Sequence, residues 1–104
     1  QNINFGAVKI GQKVAQEVAL INRSKRVATV SLGKSVKKLG AHDIKYTPDG
    51  SFQIKPKETV PLKLIFEPSH RIPPFSEELS MDVEGLVQPL LFLSGSGQGI
   101  EFKL

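Results

Sequence analysis

The chain has 104 residues, 39% of them hydrophobic and 23% charged, with a net charge of +4; that is enough for one domain around one core. It has no cysteine and no tryptophan, which rules out a disulfide framework, a thiolate zinc site and the Cys, Trp, Cys signature of antibody domains, and makes a reducing, cytoplasmic compartment the expected one. No apolar run approaches the roughly 20 residues of a membrane helix, and Gln1-Asn2-Ile3-Asn4 is no signal peptide, so a soluble segment without membrane insertion is expected.

In chain order, Ile3 and Phe5 flank Asn4 as a short first strand ended by Gly6, and Gly11 marks the turn into the next run. Lys13 to Ile21 places Val14, Val18 and Leu20 on one face and Lys13 and Glu17 on the other, a period of two that belongs to a half-buried strand. Gln16 interrupts the apolar face, which suits either a place near a sheet edge or a hydrogen bond within the sheet. Asn22-Arg23-Ser24-Lys25 is a polar turn, and Arg26 to Leu32 is β-branched and strand-like until Gly33 ends it. Val36, Leu39 and Ile44 carry a weak helical spacing, but Gly40 and the Pro48-Asp49-Gly50 turn leave little room. Residues 34 to 49 are therefore expected to be loop, with a strand at Ile44 to Thr47.

Ser51 to Ile54 alternates again, and Pro56-Lys57-Glu58 breaks the chain before a strand from Thr59 to Phe66. Pro68 to Pro74 holds three prolines and reads as an extended connection across the end of a sandwich. Leu79, Met81 and Val83 then alternate with Ser80, Asp82 and Glu84, and Val87, Leu91 and Leu93 continue the rhythm to Ser94-Gly95. About seven or eight short strands with frequent turn signals predict an all-β, immunoglobulin-like sandwich of antiparallel strands spanning residues 1 to 104. Ile100-Glu101-Phe102 echoes Ile3-Asn4-Phe5 at a spacing of 97 residues, close to one domain length, so the chain is expected to be one repeat of a tandem array, with residues 96 to 104 as the exit towards a following repeat and Gly95, Gly97 and Gly99 making it flexible.

Few residues offer chemistry. Ala28 to Ser35, ending in Gly33-Lys34-Ser35, satisfies a relaxed phosphate-loop pattern. Its free positions read as strand interior, however, and the helix that should begin at Ser35 would meet Gly40 at once. His42 and His70 have neither Cys partners nor zinc or triad spacing. Glu77 and Glu78 point to opposite faces of a strand, which disfavours a paired-carboxylate site. Gly95, Gly97 and Gly99 lack the spacing of a dinucleotide fingerprint. Neither an enzyme nor a metal, cofactor or small-molecule substrate is expected.

Charge is uneven along the chain. Residues 1 to 63 hold twelve Lys or Arg and four acids, a net of +8, whereas residues 64 to 104 hold two and six, a net of −4. Lys25, Arg26, Lys34, Lys37 and Lys38 form the densest basic group in the sequence and are the candidate partner-binding patch. A solvated basic face would account for the same charges. No aromatic residue interleaves the group, so nucleic acid is not the expected partner.

Several landmarks follow in order: Phe5-Gly6, Gly11, Val18-Ala19-Leu20-Ile21-Asn22, Phe52-x-Ile54-x-Pro56, Leu62-x-Leu64-Ile65-Phe66-x-Pro68 and Leu90-Leu91-Phe92-Leu93-Ser94-Gly95-Ser96-Gly97. Together they resemble the ASH domain, an immunoglobulin-like relative of the major sperm protein and PapD chaperone folds found in ciliary and centrosomal proteins. The resemblance covers essentially the whole chain. It implies a non-catalytic structural and interaction module of a very large ciliary protein, in the axonemal cytoskeleton and its central pair apparatus. The implied partners are axonemal or microtubule-associated proteins and adjacent repeats of the same chain. An alternative is a major-sperm-protein-like adaptor that captures an acidic peptide on Lys25, Arg26, Lys34, Lys37 and Lys38.

Overall fold

A computed structural model describes residues 2 to 99, so the Ile100-Glu101-Phe102 echo lies outside the described residues. The described residues form eight strands and one short helix: β1 (Asn2–Lys9), β2 (Val14–Ile21), β3 (Ala28–Ser31), α1 (Ser35–Ala41), β4 (Ile44–Thr47), β5 (Phe52–Ile54), β6 (Thr59–Phe66), β7 (Ile72–Val83) and β8 (Leu86–Gln98). A five-stranded sheet of order β1-β8-β7-β3-β5 faces a three-stranded sheet of order β2-β6-β4. This is the expected sandwich, with one exception to antiparallel pairing: β1 runs parallel to β8. β2 is an edge strand of the smaller sheet, which is why Gln16 remains exposed there without disturbing the core.

The alternation seen in the sequence builds the core directly. Val18 and Leu20 of β2, Leu62, Leu64 and Phe66 of β6, Leu79 and Met81 of β7, and Leu91 and Leu93 of β8 turn inward and are buried. Phe66 is fully buried between Phe5, at a ring separation of 5.3 Å, and Phe75, edge-on at 5.7 Å. Burying one such side chain stabilises the fold by about 1.5–3 kcal/mol, and aromatic pairing adds a smaller increment.

Four local features differ from expectation. Gly6 does not end β1. With φ at 73° and its N–H bonded to Asn4 Oδ1 at 2.8 Å, it makes a bulge that switches the inward phase from Ile3 and Phe5 to Val8. Residues 35 to 41 are helix rather than loop, because tertiary contacts hold a turn that seven residues could not sustain alone. Leu39 is fully buried, and the Ser35 hydroxyl both donates to Ser80 O and accepts from Ser80 N, each at 2.9 Å. Pro73 and Pro74 lie within β7, at an irregularity between Ile72 and Phe75 where missing ladder donors do no harm.

The fourth difference concerns β8. Leu79 pairs with Leu91 but Ser80 pairs with Pro89, so Leu90 is a bulge and the phase flips beyond it. Val87 is consequently 61% exposed and does not continue the row of Leu91 and Leu93. Gly95 and Gly97 are not the flexible segment expected of them, since Gly95 pairs with Phe75 and Ser96 to Gln98 are ladder residues paired with Ala7, Val8 and Lys9. Gly95 and Gly97 are packing requirements: a Cβ on Gly97 would lie 2.8 Å from Pro68 Cβ, and one on Gly95 would lie 3.2 Å from Phe5 Cβ.

Candidate interaction surfaces

The five residues of the candidate basic patch fall on two different elements. Lys25 and Arg26 occupy the turn between β2 and β3, whereas Lys34 is the N-cap of α1 and Lys37 and Lys38 lie on that helix. The strand β3 stands between the two groups, spanning four residues, or about 13 Å at the usual rise. Lys38 is moreover committed within the domain. Its Nζ donates to Glu78 O at 2.8 Å and lies 4.0 Å from Glu77 Oε2, which fastens α1 to β7.

Folding assembles a different basic group around Lys25 and Arg26. Asn22, 8% exposed at the end of β2, donates from Nδ2 to Arg26 O and Ile54 O, each at 2.8 Å, and accepts at Oδ1 from Ser24 N and Ser24 Oγ. Its main chain donates to Glu58 O and accepts from Lys57 N at 2.7 Å. One buried amide thus saturates its own hydrogen bonds while joining the β2–β3 turn to the β5–β6 turn. The cations Arg23, Lys25, Arg26, Lys55 and Lys57 are gathered at this end of the sandwich, all exposed. Sequence reasoning missed Arg23, Lys55 and Lys57 as members. The available signal was Asn22 closing a strand and Pro56-Lys57-Glu58 forming a turn, but nothing local shows that the two turns meet.

The phosphate-loop pattern is absorbed into packing. Ala28 to Ser31 is strand, Ser35 N donates to Leu32 O and Val36 N to Gly33 O, and the Ser35 hydroxyl is taken up by Ser80. Those amides and that hydroxyl are therefore not presented to a phosphate, and Ser35 is only 1% exposed.

Two histidine clusters also invite a chemical reading. His42, at the C-terminus of α1, stacks on Phe75 with ring centroids 4.1 Å apart and places Nε2 3.2 Å from Glu77 Oε1. Lys38 shares Glu77, so the cluster ties the helix to β7. Glu78, the neighbour of Glu77, pairs with Phe92 on the opposite face.

The second cluster brings Asp43, Ser69 and His70 together, the residue types of a hydrolase triad. Ser69 Oγ donates to Asp43 Oδ2 at 2.8 Å, Ser69 N donates to the same oxygen at 2.9 Å, and His70 Nδ1 lies 3.4 Å from it. The Ser69 amide, then its hydroxyl, and more weakly His70 hold the Asp43 carboxyl below its usual range. A nucleophilic serine needs its proton on histidine and the carboxylate behind that histidine. Here Ser69 Oγ donates directly to the carboxylate at 2.8 Å and also lies 3.3 Å from His70 Nδ1, so the carboxylate meets the serine itself instead of standing behind the histidine. Asp43, with φ at 57°, joins the end of α1 to the β6–β7 connection, beside a shallow groove of about 340 Å³ that also includes Glu67 and Lys45.

Where β7 begins, just past His70, an open groove of about 940 Å³ is lined by Lys9, Arg71, Ile72, Pro73, Pro74 and Gln98 among others. Among the described residues no helix is long and apolar enough to cross a membrane, and no group of three or more His, Cys, Asp or Glu is placed to hold a metal ion.

This pairing of a five-stranded and a three-stranded sheet defines the class of protein as an immunoglobulin-like β-sandwich. The fold is that of the ASH and PapD-like domains. PapD-like domain 7 of human CEP192 superposes with a TM-score of 0.70 at 17% identity, over 99% of this chain and 84% of that one. SSP-19, an MSP-domain-like protein of Caenorhabditis elegans, superposes with a TM-score of 0.56 at 10% identity, over 89% and 94%. The chain is homologous to a segment of the hydrocephalus-inducing protein: it is 40% identical to the Mus musculus protein over 105 residues and 37% identical to the Homo sapiens homolog over 107. Each match takes in 98% of this chain and 2% of the relative's length. No family model matches the chain.

Proposed function

We propose that this domain is a structural and protein-interaction module of a very large ciliary protein, one repeat of a tandem array that contributes to the central pair apparatus of motile cilia and so to ciliary motility. The observation that carries this reading is the 37–40% identity over nearly the whole chain to a segment of proteins about fifty times its length. The buried positions build a core, and the polar residue types that could have formed an active site are spent on tying elements together. Its partners are axonemal or microtubule-associated proteins and neighbouring repeats, and its place is the cytoskeleton of the cilium. To test this, the full-length protein is depleted from multiciliated cells. Beating is predicted to fail while cilia still assemble, and normal beating in depleted cells would sink the proposal.

An acidic-peptide adaptor is the second reading, favoured by five exposed cations gathered around Asn22. The original grouping of Lys25, Arg26, Lys34, Lys37 and Lys38 is replaced in that reading, because β3 separates its two halves and Lys38 is engaged with β7.

A further inference from the structure

β1 and β8 run parallel, and their ladder begins at Asn2 opposite Phe92. The stretch of β8 from Leu86 to Leu91 therefore extends upstream of the point where β1 starts, by about 20 Å at the usual rise. Among the described residues this arm has β7 on one side and no strand on the other. Val87, Pro89 and Phe92 share its outer face: Leu91 and Leu93 turn inward, and Val87 and Pro89 stand opposite Asp82 and Ser80, which flank the buried Met81. Val87 is 61% exposed and Phe92 54%, with Pro89 exposed between them. Glu78, opposite Phe92, is exposed as well, and no hydrogen bond or ion pair among the described residues takes up its carboxylate.

The place where the chain leaves the sandwich is held tightly. Lys9 pairs with Gln98, Ile10 N donates to Gln98 O at 2.9 Å, and Ile72 pairs with Gly97. Lys9, Arg71, Pro73 and Pro74, all exposed, line the open groove there together with Gln98 and Gly99. No ion pair among the described residues takes up Lys9 or Arg71. The echo at a spacing of 97 includes a further identity, because Gln98 matches Gln1 just as Ile100 matches Ile3 and Phe102 matches Phe5. Position 99 of one repeat is then position 2 of the next, 99 minus 97, with no linker between them. Position 99 lines the groove of one repeat, and position 2 stands one strand spacing, about 5 Å, from Phe92 of the next.

We propose that successive repeats pack head to tail: the row Val87, Pro89 and Phe92 of one repeat lies on Pro73 and Pro74 in the groove of the repeat before it, and Glu78 reaches Lys9 and Arg71 of that groove. In this chain the row meets the preceding repeat and the groove receives the following one. The proposal rests on the tandem-array reading and names the joint. Such an interface is heterologous, so it extends along an array instead of closing into a dimer. Covalent neighbours meet at about millimolar effective concentration, so a short apolar row with one charge pair suffices to hold them. A free partner is the poorer occupant, because in an array the preceding repeat is itself delivered to the unpaired side of the arm.

The test joins two copies of the chain at the natural spacing, residue 97 of the first running directly into residue 1 of the second; each copy keeps its own complete core. Amide relaxation, with one copy isotope-labelled at a time, is expected to give both copies one rotational correlation time, longer than that of the single chain. Phe92→Ser in the second copy is expected to release the two to tumble independently. The same change in the first copy, whose row faces no neighbour, should leave them coupled. Arg71→Glu in the first copy should loosen the joint, and adding Glu78→Arg in the second should restore it. The proposal is overturned if the wild-type copies tumble independently, if Phe92→Ser loosens the pair equally from either copy, or if the charge exchange restores nothing. Single chains that associate with one another through Phe92 while the joined copies stay uncoupled would assign the row to a second molecule and overturn it as well. A full-length protein with no repeat on either side of this domain would refute the tandem reading alone, and uncoupled copies of a domain that does have flanking repeats would refute this joint alone.

Discussion

Replacing Gly97 by alanine is expected to destabilise the domain, although alanine is ordinarily the better residue within a strand. Gly97 lies in β8 between Val8 of β1 and Ile72 of β7. An added Cβ would sit 2.8 Å from Pro68 Cβ, 3.2 Å from His70 O and 3.3 Å from Ile72 Cβ. Pro68 is fully buried, so its ring has nowhere to go, and the other two contacts belong to the same connection. Overpacking of this kind costs about 1–3 kcal/mol, while the lost backbone freedom of the unfolded chain returns about 0.4–1 kcal/mol. The net expectation is a loss of about 1–2 kcal/mol, or roughly 4–8 °C in melting temperature for each kcal/mol. Gly40 supplies the opposite control: it lies in α1 and a Cβ there would meet nothing within 4 Å, so Gly40→Ala should gain about 0.5–1 kcal/mol. Urea unfolding followed by far-ultraviolet circular dichroism reads both. A wild-type midpoint for Gly97→Ala, or a lower midpoint for Gly40→Ala than for Gly97→Ala, would refute the packing account of the glycines.

Asn22→Ala strips the partners from Arg26 O and Ile54 O and is expected to cost about 1–3 kcal/mol by urea unfolding; an unchanged midpoint would show that the amide does not join the two turns. Asp43→Asn tests the depressed carboxyl. Because the folded form holds its proton less tightly than the unfolded form, its contribution is complete above the unfolded value, near ~3.9, and disappears as pH falls through the lower folded value. The wild type should therefore exceed Asp43→Asn in stability at pH 7 and lose that advantage in acid, whereas a gap independent of pH would contradict the role of Ser69. Magnesium ATP at millimolar concentration is expected to leave the melting temperature unmoved, since the Ser35 hydroxyl is held by Ser80; a rise would restore nucleotide binding to consideration.

The sandwich was legible because most of its strands face water on one side and so alternate clearly, as in β6 and in Leu79, Met81 and Val83 of β7. The strand at Ile44 to Thr47 was found even in the least regular stretch. What was illegible depends on contacts that are distant in sequence. The helix α1 forms because Leu39 and Ser35 find partners across the fold, and periodicity cannot report Ser80. Bulges at Gly6 and Leu90 shift the inward phase by one residue, which misplaced Val87. The basic group illustrates the same limit: Lys25 and Arg26 are separated from Lys34 by a strand, yet they meet Lys55 and Lys57 through one buried asparagine. Proximity in sequence was a poor guide to proximity on the surface.

The central claim is the domain's place in the central pair apparatus. The most direct measurement is tomographic averaging of axonemes from ciliated cells in which the full-length protein carries a density tag at this domain. Added density on a projection of the central pair is the expected result. Tagged protein that is incorporated elsewhere in the cell, with central pair density unchanged, would contradict it.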